Sequence, residues 1–221
     1  MPSSKYNGMR FYSEDEVQKI ADDIDHVVTI PVDVGIEGKH RVYNLSEMKT
    51  ILEGAKQIAV YDCGCKTEYE NCNVPRNVCI SLDESTEEIS EREWRGRAEI
   101  GVEEALKVLQ RSHDAGLVHL AYIMKGDEKP GLVCSCCPCC CHTLGSLVRG
   151  GSHAQILTSD YMAVSDSDKC ADCGTCVERC VFQARQLKDN RLIFDQTQCF
   201  GCGLCVSACP EGATRLIPSE T

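Results

Sequence analysis

The sequence has few aromatic residues and no long hydrophobic segment. Its 221 residues include one Trp and four Phe, so something other than aromatic packing must help to hold the structure together. No apolar run approaches the about 18 residues that a transmembrane helix needs, and we expect no membrane span. The segment 1–10 also lacks the apolar stretch of an export signal, which predicts a cytoplasmic protein.

Basic residues are also scarce. The chain has 23 Lys and Arg against 34 Asp and Glu, a net charge of −11. Binding to nucleic acid requires clustered basic residues that neutralise phosphates, so a nucleic-acid partner is not expected. The glycine-rich patterns G-x-G-x-x-G and the P-loop do not occur either, which leaves nicotinamide, flavin and ATP sites without support.

Cysteine is what the chain has in excess. Cytoplasmic thiols stay reduced, and they bind metal or take part in redox chemistry more often than they form disulfides. The eighteen cysteines fall into four groups: Cys63 to Cys79, Cys134 to Cys141, Cys170 to Cys180, and Cys199 to Cys209. This grouping predicts several metal sites.

The hydrophobic pattern between these groups predicts an α+β chain. Helices are expected at about 14–24 (with a capping box at Ser13 and Glu16), 46–55 and 100–115, and strands at 27–34, 40–43, 58–61 and 117–124. Gly145 to Ser152 is the best linker candidate by composition. We expect a cysteine-rich α/β domain over 1–150, a linker over 151–161 and a second domain over 162–221.

Two cysteine runs near the C-terminus have the spacing of iron–sulfur ligands. Each follows C-x2-C-x2-C-x3-C, the pattern of bacterial two-cluster ferredoxins, in which the last cysteine of a run binds the other cluster. We therefore predict two [4Fe-4S] clusters, one bound by Cys170, Cys173, Cys176 and Cys209 and the other by Cys199, Cys202, Cys205 and Cys180.

The alternative for these runs is a pair of zinc sites. Four-cysteine zinc sites separate their C-x2-C pairs, whereas three cysteines at two-residue intervals leave too many thiolates for each ion. The segment from Ala184 to Phe194 is expected to form a hairpin around Lys188–Asn190. This repeat resembles a bacterial two-cluster ferredoxin, which implies a βαββαβ pseudo-twofold fold; Val181 replaces the usual proline of the first run.

The other ten cysteines are denser than any ordinary core requires. The first group has the spacing C-x-C-x6-C-x6-C, and the second places six cysteines in eight positions. Unbound thiols at this density would be prone to oxidation, so we predict an N-terminal metal or iron–sulfur site. Its candidate ligands are Cys63, Cys65, Cys72, Cys79, Cys134, Cys136, Cys137, Cys139, Cys140 and Cys141.

Further short elements accompany these cysteines: Cys72-x2-Pro75-x3-Cys79, the helical segment Glu103–Leu106, Gly116–His119 and the run C-x-C-C-x-C-C-C. Together they resemble a family of prokaryotic ferredoxin-like 4Fe-4S binding proteins that is common in anaerobes. The resemblance covers residues 55–215. It implies a redox protein with a cysteine-rich N-terminal domain, and it supplies no substrate.

Three interpretations of the N-terminal site are open. A third cubane could use Cys63, Cys65, Cys72 and Cys79, with further ligands from the second group. The adjacent pair Cys136-Cys137 resembles the paired cysteines of heterodisulfide-reductase-type proteins, whose clusters split a disulfide, although the long spacings of that family are absent. Zinc bound by cysteine pairs and His142 is the third. We favour iron–sulfur because a redox module is attached.

Two main functions follow as hypotheses. Complete ferredoxin ligands without catalytic motifs favour an electron-transfer protein or subunit that serves a partner oxidoreductase or a larger complex. The surplus of N-terminal cysteines favours instead an oxidoreductase that reduces a small molecule or a disulfide. A ferredoxin joined to a structural zinc domain is a further alternative.

Overall fold

The computed structural model has an α+β fold with one large sheet and two small ones. The residues it describes are 9–11, 13–21, 24–30, 49, 51–83, 95–124, 129–150, 156–157 and 159–219. None of the helices in this part of the chain is both long and apolar enough to cross a bilayer.

Seven strands form the large sheet, in the order β4-β2-β3-β6-β5-β1-β7. Neighbouring strands are antiparallel except β1 and β7, which are parallel. The strands are β1 (Ile24–Ile30), β2 (Ile58–Asp62), β3 (Asn77–Leu82), β4 (Ala98–Glu99), β5 (Val118–Met124), β6 (Leu132–Cys136) and β7 (Ile156–Leu157). The predicted strands at 58–61 and 117–124 are thus confirmed. The predicted turn and second strand of the hairpin at 27–43 lie outside the described residues.

The helices described around this sheet include α1 (Glu14–Ala21), α2 (Gly64–Tyr69), α3 (Val102–Asp114) and α4 (His142–Gly150). Residues 51–54 are also helical. The capping box of α1 is confirmed, because the Ser13 amide donates to Glu16 Oε2 and the Glu16 amide donates to Ser13 Oγ. The predicted linker at Gly145–Ser152 is wrong over its first six residues, which belong to α4. Gly145 is buried there, so its lack of a side chain permits close packing and does not loosen the chain.

Helix α3 packs on one face of the large sheet. Its residues Ala105, Val108 and Leu109 are buried against apolar side chains of β2, β3 and β6. Because side chains alternate along a strand, Cys79, Cys134 and Cys136 lie on the opposite face from Ile80 and Val133. The sheet therefore packs an apolar core against α3 on one side and carries the cysteines of β3 and β6 on the other.

The C-terminal part follows the order β8 (Tyr161–Ser165), α5 (Thr175–Arg179), β9 (Arg185–Lys188), β10 (Arg191–Phe194), α6 (Leu204–Ser207) and β11 (Thr214–Pro218). Strand β8 pairs with β11, and β9 pairs with β10, both antiparallel. The predicted hairpin is confirmed: Asp189 and Asn190 form its turn with φ of 52° and 58°.

A shared apolar cluster joins the C-terminal part to the large sheet. Val118, Leu120 and Tyr122 of β5 pack in it with Leu144 of α4 and with two C-terminal residues, Phe182 and Leu204. The rings of Phe182 and Phe200 stack with centroids 4.5 Å apart. The two-domain division at residues 150 and 162 remains a prediction.

The end of α3 also contacts the C-terminal part through hydrogen bonds. Arg179 Nη2 donates to the carbonyl oxygens of His113 and Asp114, at 3.0 Å each. The His113 carbonyl also accepts from the Gly116 amide at 2.8 Å, and a guanidinium is favourable beside carbonyls at the end of a helix. Gly116 has a φ of 80°, and a Cβ there would lie 2.9 Å from Arg179 Nη1. A glycine is therefore required for this contact.

We expect Leu204→Ala to destabilise the protein by about 2–5 kcal/mol, because Leu204 is fully buried where the two parts meet. The control is Leu187→Ala in β9, whose side chain is 44% exposed, and its effect should stay within about 0.5 kcal/mol. Anaerobic urea unfolding followed by circular dichroism measures both. Equal effects would contradict a shared core.

Candidate metal centres

The four cysteines predicted for the first cluster line one cavity. Cys170, Cys173 and Cys176 lie in and before α5, and Cys209 follows α6. The cavity, which we call the first cavity, contains about 340 Å³ of empty space, part of it open to solvent. Cys173 is exposed, so the first cavity reaches the protein surface.

The four cysteines predicted for the second cluster line another cavity, the second cavity, of about 320 Å³. Cys180 comes from the first run, and it lies here with Cys199, Cys202 and Cys205 of the second. The last cysteine of each run therefore lies in the other run's cavity. Four sulfur donors around an empty volume fit a [4Fe-4S] cluster in each case.

Two glycines occupy equivalent positions beside these cavities. Gly174 precedes α5 with a φ of 80°, and Gly203 precedes α6 with a φ of 79°. This left-handed conformation costs glycine little and other residues more. It turns each run sharply between its second and third cysteines, so that both sulfurs face the same cavity.

Arg185 is a buried cation between the two cavities. It lines the second cavity, and its Nη1 donates to Cys176 Sγ in the first, at 3.9 Å. The guanidinium also donates to Ser165 Oγ at 2.7 Å and to the Ala163 carbonyl at 3.1 Å. Burial alone lowers the pKa of Arg185, but the sulfurs of Cys205, Cys176 and Cys199 raise it, so the side chain is charged.

The two cavities surround their sulfurs differently. Burial raises the pKa of the Cys205 thiol in the second cavity to about 12. In the first cavity, hydrogen bonds with Thr175 lower the pKa of the exposed Cys173 thiol. Hydrogen bonding and exposure are the factors that set cluster potentials, so the two positions are not equivalent.

Strand pairing brings the two N-terminal cysteine groups together. Strand β3 carries Cys79 and pairs with β6, which carries Cys134 and Cys136, in the register Ile80 opposite Val133. Cys63 follows β2, the other neighbour of β3. The two cysteine groups are therefore brought together by strand pairing between residues more than fifty positions apart in sequence. Helix α3 lies between the groups in sequence but packs on the opposite face of the sheet.

Six of the ten N-terminal cysteines form a closed series in which each thiol shifts the pKa of the next. The order is Cys63, Cys65, Cys141, Cys136, Cys134, Cys79 and back to Cys63. We call these residues the six-cysteine set. The neighbouring thiols of Cys65 and Cys79 lower the pKa of Cys63, whereas the pKa values of the other five thiols are raised.

The other four form a compact group, the four-cysteine set: Cys72, Cys137, Cys139 and Cys140. Their sulfur atoms all lie within 4.8 Å of one another. Cys72 Sγ is 3.6 Å from Cys137 Sγ and 3.7 Å from Cys140 Sγ, and the sulfurs of Cys139 and Cys140 are 4.0 Å apart. Cys72 thus lies with the second group, whereas the sequence suggested Cys63, Cys65 and Cys79 as its companions.

Lys66 is a buried cation beside the N-terminal cysteines. Its side chain is almost fully buried, and Nζ donates to the Ser135 carbonyl oxygen at 2.6 Å. Burial alone lowers the pKa of Lys66, but the sulfurs of Cys63, Cys136, Cys79 and Cys137 raise it well above its usual value. The ammonium therefore balances negative charge in both cysteine sets.

Three described histidines, His113, His119 and His142, are hydrogen-bonded to hydroxyl groups. His142 Nδ1 is hydrogen-bonded to Thr143 Oγ1 at 2.9 Å. His119 Nδ1 is hydrogen-bonded to Ser135 Oγ at 3.0 Å, and burial lowers the pKa of His119 to about 3, so its ring is neutral. His113 Nε2 is hydrogen-bonded to Ser207 Oγ of α6 at 2.7 Å.

Sequence reasoning missed both buried cations. Arg185 could have been found by aligning the two runs, because Ala184-Arg185 corresponds to Ala213-Thr214 and both second members are buried. A charged residue at a position that is buried in the repeat, close to cysteines, indicates a metal or cluster site. Lys66 has no comparable signal, since its position next to Cys65 does not reveal its burial.

Comparison with known proteins agrees with the C-terminal geometry. Residues 169–214 match the family described as a 4Fe-4S dicluster domain. A search of curated proteins gives no match to this chain. The matched segment contains all eight cysteines of the two cavities, and a compact cysteine group lies elsewhere in the chain. The chain is therefore an iron–sulfur binding protein with a C-terminal segment similar to 4Fe-4S dicluster domains.

Proposed function

We propose that this protein is an electron-transfer protein or subunit that connects an N-terminal metal site to a partner oxidoreductase. When bound, [4Fe-4S] clusters supply one-electron transfer. One observation carries the proposal: cysteines of the second cavity and of the six-cysteine set belong to a single apolar cluster. This contact supports a continuous redox path through the molecule.

The residues of this apolar cluster keep the two sites close and dry. Cys136 and Cys141 of the six-cysteine set are each only 4% exposed within it, and Cys180 and Cys202 of the second cavity pack against it. Phe182 and Leu204 fill the space around them. Exclusion of water strengthens electrostatic interactions at both sites and limits side reactions of their sulfurs.

The first cavity supports the role of the partner-facing end. It contains the exposed Cys173, and the neighbouring Pro210 and Glu211 are exposed as well. The second cavity holds buried Cys205 and lies against the large sheet. In the proposed order, the partner meets the first cavity, and the second cavity lies between it and the six-cysteine set.

The proposed ligands of the two C-terminal clusters follow the cavities. Cys170, Cys173, Cys176 and Cys209 would hold one cluster, and Cys180, Cys199, Cys202 and Cys205 the other. Because each run supplies its last cysteine to the other cavity, each run holds ligands of both clusters. The distance between the two clusters would therefore be fixed by the backbone. The positive charge of Arg185 serves both.

A second candidate function is reduction of a small molecule or a disulfide at the six-cysteine set. It is favoured by the six thiols there, two more than the four ligands of a cubane. Electron paramagnetic resonance of the reduced protein separates the two functions. A change in an N-terminal signal on addition of dithiols favours the enzyme, and an unchanged signal favours electron transfer alone.

We expect the anaerobically purified protein to contain clearly more than the about eight iron atoms that two cubanes hold. A Cys63→Ser/Cys134→Ser variant should lose the excess iron and keep the C-terminal cluster signals, because both residues belong to the six-cysteine set. The matching Cys176→Ser variant should weaken the C-terminal signals and keep the excess. Iron and sulfide analysis with resonance spectra measures this. A wild-type value near eight would contradict an N-terminal iron–sulfur site.

We expect Arg185→Met to lower the midpoint potential of the C-terminal clusters. Reduction adds negative charge, which the buried guanidinium stabilises, so its removal favours the oxidised form. Arg185→Lys should restore most of the potential, and Arg191→Met, at an exposed position in β10, should leave it unchanged. Redox titration followed by absorbance gives the values. An equal shift in the Arg191 variant would assign the effect to overall charge.

A further inference from the structure

We propose that the four-cysteine set of Cys72, Cys137, Cys139 and Cys140 is a separate mononuclear site that binds one zinc ion. It is distinct from the six-cysteine set, so the N-terminal cysteines form two sites of different kinds. The inference stands on sulfur geometry and does not depend on the electron-transfer role.

The sulfur spacing is that of a single tetrahedral ion. Zinc–sulfur bonds of about 2.3 Å hold the sulfurs of a tetrahedron about 3.8 Å apart. Three of the six sulfur separations are 3.6, 3.7 and 4.0 Å, and all six are within 4.8 Å. A cubane needs a wider array, because each thiolate sulfur lies beyond its own iron atom.

The C-terminal cysteines of the same molecule show the wider arrangement, and the four-cysteine set can be compared with them. The cysteines of the first and second cavities surround about 340 and 320 Å³ of empty space. Among the described residues, the four-cysteine set is the group whose sulfur atoms all lie within 4.8 Å of one another. The chain therefore holds sulfurs at two distinct spacings, and this set has the narrow one.

The backbone maintains the narrow spacing. Cys137-Pro138-Cys139-Cys140 forms a tight turn, in which the amides of Cys140 and Cys141 both donate to the Cys137 carbonyl oxygen. Cys137 and Cys140 are thus a C-x2-C pair, the spacing that zinc sites use. Asn71 Nδ2 donates to the Cys139 carbonyl oxygen at 2.7 Å and holds the loop of Cys72 against this turn.

The surroundings suit an ion without redox chemistry. All four ligands are thiolates, which leaves no open position for substrate and is typical of structural zinc. Cys137 and Cys140 are buried, and Lys66 Nζ lies 2.6 Å from the carbonyl oxygen of Ser135, two residues before Cys137. The ammonium partly balances the two negative charges of a zinc tetrathiolate.

Metal analysis of three single-residue variants tests the proposal. The full-length wild type, produced anaerobically with iron and zinc both supplied, should contain one zinc per chain. Cys72→Ser should lose this zinc and keep its iron and sulfide. Cys65→Ser changes a half-buried cysteine of the six-cysteine set and is the matched control, which should keep its zinc. Cys72→His should retain zinc, because three cysteines and one histidine also bind it.

Each other outcome overturns the proposal in an identifiable way. Loss of iron together with sulfide in Cys72→Ser would assign the set to a cluster, and loss of iron alone would assign it to mononuclear iron. Unchanged metal content in that variant would mean that the set binds none. If Cys72→Ser fails to fold, cobalt substitution of the wild type decides: visible bands of tetrahedral thiolate Co²⁺ are expected, and their absence would reject the site. The C-terminal spectra, recorded on the same samples, report on the electron-transfer proposal separately.

Discussion

Attraction between buried cations and cysteine sulfur is the interaction on which both halves of this molecule depend. Arg185 and Lys66 are the two largest side chains that are almost fully buried in the described part of the chain, and each lies among cysteines. Removing a charge from water costs several kcal/mol for each ion. Neither the cations nor the thiolates would be stable in the interior alone. Together they allow sulfur-rich sites to lie inside the fold.

The C-terminal half was largely predictable because its information is local. Three ligands of each cavity lie within seven consecutive residues, and the fourth follows from the repeat. The hairpin turn at Asp189 and Asn190 was predictable for the same reason. Arg185 was not, because hydrophobic patterning assigns a charged residue to the surface by default.

The N-terminal half was predictable only in part. Sequence spacing indicated that ten cysteines bind metal, but it could not divide them, because the division depends on which strands pair and in what register. Cys72 belongs with residues more than sixty positions away, and only the fold brings them together. The glycines of α4 were misread for a related reason: composition predicts a loop, whereas burial of Leu144 and Gly145 stabilises a helix.

The two N-terminal sets share one eight-residue segment, residues 134–141, which begins in β6 and continues into the following turn. Cys136 and Cys141 belong to the six-cysteine set, and their direct neighbours Cys137 and Cys140 belong to the four-cysteine set. A single peptide bond separates the sets at each of these places, so the same stretch of backbone positions cysteines of both sets. An inserted or deleted residue in this eight-residue segment would damage both sets at once.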